Sequence, residues 1–242
     1  MRTISGLTAF AATALFASPA LAAPDLSSCP QGEGAAEELG VETEPVTLDP
    51  ALASVAVTDG EQMAIETLAG DTICSNVQGL FSLDNPAFVM TERFFGTEWT
   101  AMEAFGYMLF DRAGKGSEVE TGQAPVFSDG MHRMASIQFS GAGFGGLEGF
   151  VVWTVTEKGL KKLYELSSES NDIAMAYTYV DLKLDGFVGQ SCVRISGVAS
   201  GEYTRVANEG GDLRFAKRTE FFAREDKDWV ITQGLSTGCL DN

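Results

Sequence analysis

One histidine, His132, serves the whole chain of 242 residues. That scarcity excludes the two- and three-histidine zinc centres of metalloenzymes within a single chain. Cysteine is nearly as rare: Cys29, Cys74, Cys192 and Cys239 include no CxxC pair. Without clustered thiolates, neither metal ligation nor dithiol redox chemistry is expected. Positive charge is also short, with 16 Lys and Arg against 34 Asp and Glu and a formal net charge of −18. Such a surface repels nucleic acid and anionic lipid, so no nucleic-acid partner is expected. It would favour cationic partners or divalent cations, although solubility is the plainer reading of charge scattered along the whole chain. Beyond the N-terminus no run is apolar enough to span a bilayer, and there is neither an internal repeat nor a heptad pattern.

The N-terminus itself has the form of a secretory signal. Arg2 precedes an apolar stretch from Ile4 to Phe16, and Ser18-Pro19-Ala20-Leu21-Ala22 offers small residues where a signal peptidase reads. Cleavage is expected after Ala22, leaving a mature chain that is still more acidic because Arg2 is lost. An exported chain with four cysteines is expected to carry two disulfides. Three pairings are open, and Cys29 with Cys74 and Cys192 with Cys239 is favoured, because nearest pairing staples each end to the body beside it. Leu26-Ser27-Ser28-Cys29 also resembles the box of bacterial lipoprotein precursors, which would acylate Cys29. Pro24 and Asp25 separate that box from the apolar run, so conventional cleavage is preferred.

Residues 23–60 are rich in Ala, Glu, Asp, Pro and Gly and lack aromatic residues, which predicts an acidic, poorly ordered arm. Residues 61–242 are expected to form a single strand-rich domain. Asp84-Asn85-Pro86 reads as a helix start. After it, Phe95, Trp99, Met102, Phe105 and Leu109 recur at helical steps, predicting a helical segment at about 86–110 that is broken near Gly96. From about 126 the pattern turns to strands separated by glycine turns. These are Met134–Ser140, Phe150–Thr156, Ile173–Leu184, Cys192–Val198, Glu202–Ala207, Leu213–Phe222 and Trp229–Thr232. Lys158 to Leu166 is ambiguous between strand and helical turn. The predicted class is α+β, mainly antiparallel β, as a curled sheet, a sandwich or a partly closed barrel with the helical segment packed on it.

Motifs that could carry chemistry are weak. Gly234-Leu235-Ser236-Thr237-Gly238 matches G-x-S-x-G, but only four residues follow it and the sole histidine lies upstream, against the chain order of a nucleophile elbow. Gly141-Ala142-Gly143-Phe144-Gly145-Gly146 matches G-x-G-x-x-G, yet a strand pattern rather than a helix comes next. His132, after Asp129-Gly130, reads as a surface residue beside a turn. Asp181 and Asp185 share a strand face at a backbone separation of roughly 13 Å, which is wide for a dyad or a metal clamp. Glu225, Asp226 and Asp228 cluster before Trp229 as a weak candidate metal site whose plain alternative is a solvated turn. Arg194, Arg205, Arg214, Lys217, Arg218 and Arg224 concentrate late, and alternation puts Arg214 and Arg218 on one face. Cross-strand pairing with the surplus carboxylates is preferred there to an anion site.

These features favour an exported, non-catalytic domain of the periplasm or extracellular space, binding an envelope protein or a small apolar ligand and needing no cofactor. The candidate ligand-binding residues are Phe95, Trp99, Met102 and Phe105. Two alternatives remain at this stage: a secreted hydrolase using carboxylates or Ser236 with His132, and a lipoprotein tethered through Cys29.

Overall fold

The structure, a computed structural model, describes residues 24–30, 48, 52–78, 80, 82–101, 104–138, 149–167, 178–225, 229–233 and 239. The expected signal at 1–22 lies outside these residues. Short strands with tight turns produce four antiparallel meanders in chain order. The first contains β1 (Ala56–Thr58), β2 (Gln62–Glu66) and β3 (Thr72–Asn76). The second contains β4 (Ser82–Phe88), β5 (Phe94–Thr100), β6 (Phe105–Asp111) and β7 (Ser117–Glu120). The third orders β8 (Val126–Phe127), β9 (Arg133–Gln138), β10 (Gly149–Thr156) and β11 (Gly159–Ser167), so the ambiguous stretch from Lys158 is a strand. The fourth orders β12 (Tyr179–Val188), β13 (Cys192–Ala199), β14 (Arg218–Glu225) and β15 (Trp229–Gln233).

The sheets stack face to face in that order. Met63 and Ile65 of the first sheet meet Phe95, Met108 and Phe110 of the second. On its other face the second sheet presents Phe94, Tyr107 and Leu109 to Met134, Val151 and Trp153 of the third. The third then turns Ala135, Ile137, Phe150 and Val152 toward Val193, Ile195, Phe221 and Trp229 of the fourth. Both middle sheets are therefore apolar on both faces, which is why β6 and β10 read as near-continuous hydrophobic runs. The class is β-rich α+β with a single α-helix among the described residues, and the sheets do not close into a barrel.

The helix is not where the sequence placed it. The segment 86–110 forms β4, β5 and β6 instead, and Asp84-Asn85-Pro86 is a bulge within β4 rather than a cap. Asn85 adopts φ 50° there, and proline is tolerated because a bulge frees its position from the ladder. Conversely, Glu202–Ala207, expected as a strand, lies in α1 (Ser200–Asn208). Arg205 bridges Glu202 at 2.8 Å and Glu209 at 2.5 Å across successive turns. The glycine pair after α1 is its C-terminal cap: Gly210 takes φ 64°, and the Gly211 amide donates to the Val206 carbonyl at 2.9 Å. Leu213–Phe215 is a 3-10 turn, so the expected strand from Leu213 begins only at Arg218.

The favoured cysteine pairing is the one formed, Cys29 with Cys74 and Cys192 with Cys239, and no cysteine is free. Two such bonds mark a chain that folds outside the reducing cytoplasm. No helix among the described residues is long and apolar enough to cross a membrane. Cys74 faces away from the second sheet, opposite Ala64, so its bond draws Asp25–Cys29 over the outer face of the first sheet. Leu52 and Ala56, assigned by sequence to the acidic arm of 23–60, are buried in the first core, so the packed body starts before residue 61.

Candidate ligand cleft

The β5–β6 hairpin carries most of the expected ligand-binding residues and splits them. Phe95 is buried in the core between the first two sheets. Met102 lies outside the described residues. Trp99 and Phe105 do meet at a common opening, a cleft of about 540 Å³ at the end of the second sheet. Asp84, Glu98, Thr100 and Tyr107 share it, and Gln123, Lys183 and Leu184 close its far side.

Two glycines shape this hairpin. Gly106 stands directly opposite Trp99, and a Cβ on Gly106 would lie 2.8 Å from the indole ring, so only glycine lets that ring lie flat on the neighbouring backbone. On the other face a Cβ at Gly96 would come within 2.3 Å of the Tyr107 hydroxyl. Each ring covers a glycine on the adjacent strand, a device that compensates a strand for a missing side chain. Trp99 is 5% exposed, and its indole N–H has no hydrogen-bond partner among the described residues. Phe105, one residue from the turn, is instead 56% exposed.

The polar part of the cleft is acidic. Asp84 and Glu98 are direct cross-strand partners, an arrangement of like charges that a sheet does not favour by itself. Ser82 Oγ donates to Asp84 Oδ2 at 2.7 Å. Burial, reinforced by the Glu98 carboxylate, pushes the Tyr107 phenol up to about 12. The far wall is tied down by Gln123 Nε2, which donates to the Leu182 carbonyl at 2.9 Å, and on the hairpin side Gln138 Nε2 donates to the Phe105 carbonyl at 3.1 Å. The sequence marks neither Tyr107 nor Glu98, and it offers Asp84 only as a helix start. Reading Phe94–Thr100 and Phe105–Asp111 as paired strands would have put Glu98 and Tyr107 side by side on the face opposite Trp99.

The remaining candidates do not gather into a catalytic set. His132 is exposed at the end of the 3-10 turn Asp129–Met131. Ser236 and Gly141–Gly146 lie outside the described residues, as do Asp226 and Asp228. Glu225 is bound to Arg133 at 3.0 Å. Among the described residues no group of three or more His, Cys, Asp or Glu is placed to hold a metal. Arg214 and Arg218 do not share a face: Arg214 pairs with Asp212 on its own turn, while Arg218 on β14 reaches Asp181 at 2.6 Å. The latter is the cross-strand pairing the sequence favoured. No protein-family model matches the chain, and no curated protein or solved structure matches it either.

Proposed function

We propose that the protein is an exported binding domain that performs no reaction of its own and holds a small ligand with an apolar face in the cleft at the end of the second sheet. The observation that carries this reading is Phe105, a large aromatic side chain more than half exposed in a cleft that it shares with Tyr107. Concave sites that combine aromatic walls with a few polar groups are the usual form of a small-molecule pocket. The apolar face of the ligand would rest on Phe105, and a hydrogen-bond acceptor on it would meet the cleft's tyrosine. The signal-like N-terminus and the two disulfides support the export part of this reading. The bond to Cys74 occupies the Cys29 sulfur that an acyl anchor would need, which favours an untethered chain over the lipoprotein reading.

Titration of the mature protein with a panel of amphipathic small molecules, followed by tryptophan fluorescence, tests the proposal. A saturable change that is lost in Phe105→Ala, with Trp153 and Trp229 retained, supports it. Ligands that bind equally well to Phe105→Ala would place the site elsewhere and overturn it. Turnover of ester, glycoside or phosphate substrates that disappears in Ser236→Ala or His132→Ala would overturn the non-catalytic part.

A further inference from the structure

The outer face of the fourth sheet is covered at both ends and open between them. At one end α1 and its following turn pack Val206 and Ala216 onto Val198. At the other the Cys192–Cys239 bond sits against Phe222. Between these covers lies a cleft of about 630 Å³ whose floor includes Asp185, Arg194, Ser196, Arg218 and Glu220.

Its charges are arranged unusually. Among the described residues Arg93, Arg133, Arg205, Arg214 and Arg218 each hold a carboxylate, and Arg112 holds two backbone carbonyls. Arg224 is engaged as well. Of the arginines among the described residues, Arg194 alone has no ion-pair or hydrogen-bond partner, in a chain with a twofold excess of acid. Asp185 and Glu220 line the same cleft and are likewise unpaired among the described residues.

Backbone register explains how Asp185 comes to be there. Leu184 stands opposite Ile195 and Gly186 opposite Arg194, so one step on β13 is matched by two on β12, and Asp185 is the extra residue of a bulge. Bulges re-aim side chains, and this one sets a carboxylate on the floor that Arg194 occupies. Gly186 adopts φ +125°, and a Cβ there would meet nothing within 4 Å, so the space beside Arg194 is open. On β14, Glu220 stands opposite Ser196 and is the diagonal neighbour of Arg194, at roughly 7–8 Å. The adjacent Arg218 is held by Asp181 and by Ser196 Oγ at 2.9 Å, which fixes the edge of the floor.

We propose that this cleft is a second binding site and that it takes a zwitterionic ligand of the amino-acid or short-peptide class. The forked guanidinium of Arg194 receives the carboxylate, a geometry suited to two parallel hydrogen bonds. Asp185 and Glu220 receive the ammonium group. A phosphate-like dianion meets two carboxylates here, and a simple cation meets Arg194, so only a ligand carrying both charges satisfies all three groups.

Calorimetric titration of the mature protein with triglycine, N-acetyltriglycine and triglycine amide tests the assignment. Triglycine is expected to bind saturably, each end-blocked peptide at least tenfold more weakly, and Arg194→Gln is expected to weaken triglycine binding by tenfold or more. Phe105→Ala, in the other cleft, is expected to leave triglycine binding unchanged, which separates this site from the one proposed above. Arg194 is on the surface, and circular dichroism of the variant checks that it folds. The assignment is overturned if triglycine gives no saturable binding, if Arg194→Gln or Phe105→Ala departs from these expectations, or if N-acetyltriglycine binds as tightly as triglycine.

Discussion

Replacing Arg93 with methionine isolates one buried charge and gives a large, measurable penalty. Asp111, at the end of β6, has a side chain with no exposed surface. Arg93 grips it with two bonds, Nε to Oδ1 and Nη2 to Oδ2, both at 2.7 Å. The Ala113 amide adds a third at 3.0 Å. Arg93→Met keeps most of the aliphatic stem but removes the cation, leaving a buried carboxylate that has lost two of its three donors. Breaking a buried pair from one side costs about 3–5 kcal/mol. Loss of the guanidinium from the Phe94 ring, 4.9 Å below it, adds up to roughly 1 kcal/mol. For a chain of this size the combined loss is a fall in Tm of about 6–24 °C. Urea unfolding followed by both tryptophan fluorescence and circular dichroism measures the difference, provided the slope is unchanged between variants. Adding Asp111→Asn removes the stranded charge and is expected to recover roughly 2 kcal/mol of the loss. A single-variant penalty below about 1 kcal/mol, or a double variant weaker than Arg93→Met, would refute the account of Asp111 as a charge that depends on Arg93.

Alkaline stability is expected to depend on Tyr107. Its folded value of about 12 lies above the ordinary phenol value of 10.0. The associated stability is therefore fully present below pH 10 and is lost as pH rises toward 12, by roughly 2–3 kcal/mol in all. Unfolding measured between pH 9 and 12 should show that decline in the native protein and a flatter one in Tyr107→Phe. Equal slopes would show that the phenol is not the group responsible. Disulfide loss should be costly at both ends, since the bonds close sequence separations of 45 and 47 residues. Each is expected to contribute about 4 kcal/mol, and Cys29→Ser/Cys74→Ser compared with Cys192→Ser/Cys239→Ser by thermal melting reads them separately. A melting temperature indifferent to reductant would exclude this contribution.

Much of the fold was legible in the residues from 126 onward, where β-branched and aromatic runs alternate with glycine turns. The stretch 86–110 was misread for an identifiable reason. Phe95 to Trp99 and Phe105 to Leu109 are steps of four, which keep one face in a strand as well as in a helix. Trp99 and Phe105 stand on successive strands, so the spacing between them is not a period of one element; at that turn the Ala101 amide meets the Ala104 carbonyl at 2.8 Å. α1 was missed because Tyr203, Thr204 and Val206 favour strands by propensity, while the ion pairs and cap that hold the helix act across three and four residues. Of the candidate cleft, Trp99 and Phe105 were visible as aromatic residues. Lys183 and the Gln123 segment were not, because their approach depends on how the third and fourth sheets stack.

That stacking makes the protein nearly one-dimensional. Each meander closes its own hydrogen bonds locally, and its apolar contacts run to the next meander in the chain. The middle layers are stabilised from both sides, whereas the first and last each lack a neighbour on one face. In a linear array the terminal units fray first and need caps. The two cross-links sit on these outward faces, one at each end, so the covalent chemistry falls where cooperative packing is weakest. A chain that emerges N-terminus first into an oxidising compartment can form and lock the first layer, add the second and third against it, and seal the array when Cys239 arrives.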